Sequence, residues 1–104
     1  MNFQIEKKNI IISLNQNYSN FIVTHEFKLP TIYKQKIIEL SIEGIKKAID
    51  FLDITGYVSK NMNIFDNTDR WQCIVGLRDT FNITGPEDMG IAFNIGNFKF
   101  VVFK

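Results

Sequence analysis

The sequence predicts an α+β fold, a single small domain in which a mainly antiparallel sheet of four to six strands packs with two helices. Short segments that alternate polar and apolar residues stand near both ends of the chain. Between them lies a stretch whose apolar residues recur at helical spacing. The 104 residues are enough for one domain over 1–104 and leave no room for a second core.

The N-terminal third is expected to form two or three antiparallel strands. Apolar and polar residues alternate over 3–14, and a segment rich in turn formers follows at 15–20. The clearest strand covers 21–29, where the alternation is regular. Pro30 should end that strand, because proline has no N–H to donate to a neighbouring strand.

A first helix is predicted after Pro30. Its apolar stripe has spacings of four and three residues and consists of Ile38, Ile42, Ile45, Ile49 and Leu52. The helix starts either at Thr31 or, in a shorter form, at a cap formed by Ser41. Gly56 is expected to end it.

The second half of the chain should contain another helix and a hairpin. Residues 57–67 fit either a short strand or a loop. The second helix is predicted from a cap at Asp66 or Thr68 to about Phe81. Near the end of the chain, two apolar segments flank Gly96-Asn97, a pair that suits a type II′ hairpin turn.

Composition limits the classes of partner. Twelve basic residues are balanced by eleven acidic ones, so the concentrated basic field of a nucleic-acid-binding protein is absent. No apolar stretch approaches the roughly 20 residues that span a bilayer, so no membrane partner is expected. Cys73 is the only cysteine, which rules out an intramolecular disulfide and favours a reducing compartment, the cytoplasm.

The residue types needed for catalysis are sparse, so no enzymatic activity is predicted. His25 and Cys73 each stand alone, and a nucleophile and a base must lie within hydrogen-bond reach of each other. Cys73 is expected to be a small buried apolar residue, and His25 a hydrogen-bonded residue at the edge of the core. No metal-ligand spacing and no glycine-rich phosphate loop occurs, so neither metal nor cofactor is predicted.

Two segments are candidates for binding a protein partner. The first, 63–71, combines aromatic side chains with acids and an arginine, residue types found at interface hot spots; its candidate residues are Phe65, Asp66, Asp69, Arg70 and Trp71. The second, the loop 84–89, offers Glu87, Asp88 and Met89. For Trp71, the core and the interface remain equally open.

In its general profile the chain resembles the immunity proteins of bacterial toxin systems, such as those of contact-dependent growth inhibition. It is small, and its 17 isoleucines, 11 asparagines and 10 lysines are typical of an AT-rich gene. The resemblance implies a non-catalytic protein that neutralises a cognate toxin, such as a nuclease, in a tight stoichiometric complex. It assigns no residue roles, and the near-neutral charge departs from the acidic character of many such inhibitors.

Two alternatives belong to other classes. One is a small-molecule- or peptide-binding accessory or chaperone-like module, which a large apolar pocket between helix and sheet would favour. The other is a minimal enzyme that uses Cys73 or His25, which requires these side chains to converge in a cleft with a carboxylate.

Overall fold

A computed structural model describes residues 3–15, 21–79 and 89–104. In chain order the elements are α1 (Phe3–Asn15), β1 (Phe21–Phe27), α2 (Thr31–Lys47), α3 (Phe51–Asp66), β2 (Gln72–Leu77), β3 (Gly90–Ile95) and β4 (Phe98–Phe103). The predicted α+β class is confirmed, with three described helices in place of two. No helix in these ranges combines the length and the apolar character needed to cross a membrane.

The four described strands form one antiparallel sheet in the order β1-β3-β4-β2. The β3–β4 hairpin therefore occupies the centre, and β1 and β2 lie at the edges. The register of β1 against β3 shifts between Val23 and His25, whereas β2 pairs with β4 without interruption. Strand β1 ends at Phe27, two residues short of the predicted bound at 29, because Lys28 adopts a φ of +48° that leaves the strand conformation before Pro30 is reached.

The predicted hairpin turn at Gly96-Asn97 is confirmed. Gly96 has a φ of +56°, and Asn97 is not among the residues with positive φ, which fits a type II′ turn. A Cβ at position 96 would stand 2.8 Å from Cγ1 of Ile10. Glycine is thus required here both by the backbone conformation and by the packing of α1.

The core lies between one face of the sheet and helices α2 and α3. Its centre is formed by Phe93 and Phe100, whose rings stack at 4.9 Å with planes 8° apart. Side chains at alternate positions of the central strands complete the sheet side, and the helices add a matching set of buried apolar residues, namely Ile37, Ile45, Ile54, Val58 and Met62. Burial of these side chains is the main favourable contribution to folding.

The strands predicted over 3–14 are wrong, because this segment forms helix α1. The ring of Phe3, in the first turn of α1, packs between the rings of Phe51 and Phe98, and the centroid distances are 4.9 and 5.2 Å. Two turns later Ile10 is buried against the hairpin turn. A short apolar segment fits both a helical and a strand period, and the packing partners decide between them.

The first predicted helix is in fact two helices. The longer form, starting at Thr31, is correct, but α2 ends at Lys47 and α3 begins at Phe51. Asp50 caps α3, since its side chain accepts a hydrogen bond from the amide of Asp53. Ile49 and Leu52 were assigned to the apolar stripe, but Ile49 lies between the two helices and Leu52 in the first turn of α3, and they are 71% and 78% exposed.

The predictions for 56–81 also need correction. Gly56 does not end a helix but lies inside α3, which runs to Asp66 and stops at Asn67 in the left-handed conformation (φ 53°). The helix predicted from Asp66 or Thr68 is strand β2 in its described part. Cys73 and Val75 lie on the face that packs against the core, so the strand period applies here.

Two glycine substitutions should have opposite effects on stability. Gly56→Ala should raise the free energy of unfolding by about 1 kcal/mol, because alanine favours a helix interior and no atom lies within 4 Å of the added Cβ. Gly96→Ala should lower it by about 1–3 kcal/mol, because of backbone strain and the contact with Ile10. Urea denaturation measures both, and a destabilised Gly56→Ala variant would contradict the assignment of α3.

Candidate functional site

A single carboxylate, that of Asp66, joins four parts of the chain. Its Oδ1 accepts a hydrogen bond from the hydroxyl of Tyr33 on α2 (2.5 Å). Its Oδ2 accepts from the indole Nε1 of Trp71 (3.0 Å) and from Nζ of Lys104 (2.5 Å). The last residue of α3 is therefore tied to α2, to the start of β2 and to the segment after β4.

The electrostatics of these four residues favour the ionised carboxylate. The Lys104 and Tyr33 hydrogen bonds lower the pKa of Asp66 to about 2. The hydrogen bond between Tyr33 and Asp66 also raises the pKa of the Tyr33 hydroxyl. The side chains of Asp66 and Lys104 are only 11% and 16% exposed, and the ammonium also lies 5.6 Å from the Trp71 ring centroid. Pairs shielded from water in this way are screened less by salt than surface pairs.

Trp71, for which core and interface were both open, belongs to the core. It is 1% exposed, and its amide donates to Oδ1 of Asn63 (2.8 Å). With Asp66 also turned inward, two of the residues predicted to contact a partner have little surface to offer. Their contact with a partner stays a prediction, and in the fold both side chains pack beneath their exposed neighbours.

That surface lies at the C-terminal end of α3, and its exposed residues are called the corner patch: Ile64, Phe65, Asp69 and Arg70. Ile64 and Phe65 are 67% and 40% exposed. The Phe65 ring packs edge-on against Tyr33 (6.0 Å), with Nζ of Lys36 5.5 Å from its centroid. A shallow groove of about 780 Å³ runs beside the patch and is lined by Lys60, Asn63, Ile64, Asn67, Thr68 and Asp69.

The second predicted binding segment reaches the same region through Met89. Its backbone exchanges two hydrogen bonds with that of Lys104, at 3.2 and 3.0 Å. Because Lys104 also binds Asp66, the structure brings Met89 close to the Asp66 contacts. Glu87 and Asp88 lie outside the described residues, and their contact with a partner stays a prediction.

The structure does not bring His25 and Cys73 together. They lie on β1 and β2, the two edges of the sheet, and two strands separate them, which amounts to roughly 14 Å at ordinary strand spacing. His25 is exposed rather than at the core edge. Cys73 packs against the core as predicted, and burial raises the pKa of its thiol. Within the described ranges no three His, Cys, Asp or Glu side chains lie close enough to hold a metal ion.

The described cavities lie on the surface. One, of about 460 Å³, lies where α2 and α3 meet, and another, of about 330 Å³, lies between α1 and the hairpin turn. The first cavity and the groove beside the corner patch lie away from the sheet, whereas the second is lined by α1, by Ile22 of β1 and by the hairpin turn. The alternative of a small-molecule- or peptide-binding module stays a prediction.

Ile64 and Lys104 were missed by the sequence analysis. Ile64 lies on the face of α3 opposite the buried Ile54, Val58 and Met62, so the helical period would have revealed it had α3 been predicted. Lys104 is 38 positions from Asp66 in sequence. No local pattern indicates such a long-range ion pair.

Comparison with known proteins shows which solved structures have a similar fold. The chain matches no protein-family model and no curated protein. Among solved structures it is similar to the dynein light chain-like domain of the Fasciola hepatica calcium binding protein FhCaBP2 (TM-score 0.58, 14% identity, 83% of this chain and 91% of that chain). It is also similar to the DLC-like domain of CsTAL3 (TM-score 0.57, 19% identity, 81% and 90%). At these identities the likeness concerns the fold alone.

The stability that Asp66 contributes should be lost in acid. The pKa of its carboxyl is about 2 in the fold against an ordinary 3.8. The unfolded chain therefore takes up the proton first, and the stabilisation is complete above about pH 5 and disappears as the pH falls from 4 towards 2. Asp66→Asn should lower the free energy of unfolding by about 2 kcal/mol at pH 7.

Urea denaturation of the wild type and Asp66→Asn at pH 7, 4 and 2.5 measures this difference. The exposed Asp79, changed to Asn, is the control and should have little effect at any of these pH values. A constant difference between wild type and Asp66→Asn over the whole range would contradict an ionic role for Asp66.

The Cys73 thiol should be unreactive in the folded protein. Thiolate is the reactive form, and burial disfavours it. Alkylation by iodoacetamide at pH 8 should be at least about 100-fold slower in buffer than in urea. Comparable rates in both solutions would show that Cys73 is an accessible thiol.

Proposed function

We propose that this protein is a non-catalytic binding domain whose corner patch docks on a protein partner. One observation carries the proposal. An exposed isoleucine and a half-exposed phenylalanine immediately precede Asp66 in α3, the exposed Asp69 and Arg70 follow it, and Asp66 itself accepts three hydrogen bonds within the fold. Aromatic residues and arginine dominate interface hot spots, so this composition fits a partner-binding surface.

The rigidity of the support favours binding. Phe65 is held from below by Tyr33, and the turn after α3 is fixed by backbone hydrogen bonds from Asn67 and Thr68 to the last turn of the helix. A surface already in its bound shape loses less conformational entropy on association. The Asp66 hydrogen bonds would thus raise affinity without touching the partner.

The charges around the patch indicate the chemistry of the partner. Lys36 lies against the Phe65 ring, Asp69 lines the groove with Ile64, and the exposed Arg70 follows Asp69 in the chain, so charges of both signs adjoin the two apolar side chains. Such a rim sets orientation and association rate, while the apolar centre supplies most of the affinity. We expect a partner with an apolar contact of its own, framed by charges of both signs.

Toxin neutralisation in the cytoplasm is the specific form of this function that the sequence suggests. It is supported by the small size and the composition typical of an AT-rich gene. The toxin, such as a nuclease, would be blocked by a stoichiometric complex at the corner patch. The calcium binding of the Fasciola protein belongs to that protein, and no described cluster of acids here suggests the same.

Affinity capture from the host tests the proposal. Wild type, Ile64→Ser and Phe65→Ser are immobilised in parallel with Leu52→Ser, a control on the same helix with an even more exposed apolar side chain. A protein retained by wild type and control, but bound at least about 10-fold more weakly by both patch variants, is the expected result. Asp66 is left unchanged, because its loss would destabilise the fold.

Equal retention of the same protein by the wild type and all three variants would contradict docking at the corner patch. The toxin assignment has a separate test. Production of the captured protein alone should stop bacterial growth, and co-production of this domain should restore it. A captured protein that is harmless to the cell would leave the binding function intact and overturn the immunity assignment.

A further inference from the structure

The cavity between α1 and the hairpin turn is lined by charged, polar and apolar groups together. Its wall carries one carboxylate, one guanidinium, two amides and two isoleucines, namely Glu6, Arg78, Asn9, Asn97, Ile10 and Ile22. Sites for small molecules combine apolar side chains with a few converging polar groups in this way. The volume of about 330 Å³ lies at the lower end of the range of such sites, so a ligand must be small.

The carboxylate of Glu6 is only partly satisfied inside the fold. Glu6 is 7% exposed, although carboxylates are almost never buried unless they are paired. Its Oε2 accepts a hydrogen bond from Nδ2 of Asn97 (2.8 Å). Among the described residues no other group donates to this carboxylate, and Oε1 is not sealed in the interior, so it faces the cavity. A ligand ammonium group would supply the donors that this oxygen lacks.

Arg78 brings the opposite charge to the same cavity. Its backbone amide donates to the carbonyl of Asn97 (2.8 Å), the residue whose side chain binds Glu6. The guanidinium and the carboxylate both line the cavity, yet within the described ranges they form no ion pair with each other. A gap therefore separates two opposite charges. A molecule that carries both an anionic and a cationic group fits this gap, with each group against its complement.

We propose that this cavity binds a free α-amino acid with an apolar side chain. The ammonium group of the amino acid contacts Oε1 of Glu6. Its carboxylate contacts the guanidinium of Arg78, which is suited to holding a carboxylate by two parallel hydrogen bonds. The apolar side chain lies against Ile22, which is 52% exposed and loses contact with water when a ligand covers it.

The two opposite charges determine which molecules the cavity selects. A simple amine leaves the guanidinium of Arg78 unpaired and is repelled by it, and a simple acid is repelled in the same way by Glu6. The N-terminus of a peptide has the ammonium group but carries an amide where a free amino acid has its carboxylate. Peptide N-termini should therefore bind more weakly than the free amino acid.

Titration with leucine, followed by the NMR shifts of the backbone amides, tests the proposal. Over about 10 µM to 10 mM leucine, the amides of Asn9, Arg78 and Asn97 should shift and saturate, with a dissociation constant on the order of 0.1 mM. Leucinamide, which lacks the carboxylate, and isocaproate, which lacks the ammonium group, should each bind at least about 10-fold more weakly.

Two substitutions test the residues that hold the charges. Glu6→Gln and Arg78→Gln should each weaken leucine binding by at least about 10-fold. Glutamine at position 6 keeps an oxygen that accepts from Asn97, so α1 stays in place and the loss of affinity reports on the charge. Lys8→Gln is the matched control, since Lys8 is an exposed cation of α1 outside the cavity wall, and it should leave the affinity unchanged.

An absence of saturable shifts at the highest leucine concentration would overturn the proposal, as would binding that survives both Glu6→Gln and Arg78→Gln. Equal affinities for leucine and leucinamide would overturn the role of Arg78 and point to a peptide N-terminus as the ligand. The corner patch shares no residue with this cavity wall. Failure of the amino-acid site would therefore leave the proposed docking of a protein partner unaffected.

Discussion

The described structure depends on one partly buried interaction, the acceptance of three hydrogen bonds by the carboxylate of Asp66. Apolar packing holds the helices to the sheet but does not fix where α3 must stop or how the chain enters β2. The indole of Trp71, the hydroxyl of Tyr33 and the ammonium of Lys104 fix both, since each finds its partner in the same side chain. Removing that acceptor would leave partly buried donors unsatisfied, which is costly.

For function, the consequence is that some of the candidate binding residues point into the fold and others lie at the surface. Residue types typical of binding sites cluster at 63–71, and the structure divides them by depth. Asp66 and Trp71 point inward and hold the corner rigid, whereas Phe65, Asp69 and Arg70 remain at the surface. The proposed contact surface therefore rests on this support.

The sequence predicted correctly those features that depend on residues close together in the chain. Gly96-Asn97 between two apolar strands defines the hairpin, and Pro30 separates β1 from α2. The predictions for 3–14 and 72–77 were wrong, because the apolar residues of these segments fit both the helical and the strand period. Contacts with Phe98 and with β4 determine which structure forms. The break between α2 and α3 depends on the Asp50 cap, which the continuous isoleucine stripe obscured. The Lys104 contact is non-local and has no sequence pattern.

Hydrogen exchange of the Trp71 indole N–H, followed by NMR in the unmodified protein, tests the central claim most directly. If Asp66 holds this group in a rigid corner, the indole proton should exchange only when the whole domain unfolds, with the same opening free energy as the amides of β3 and β4. Exchange at a much lower opening free energy, while those amides stay protected, would show that the end of α3 opens locally and would contradict the account.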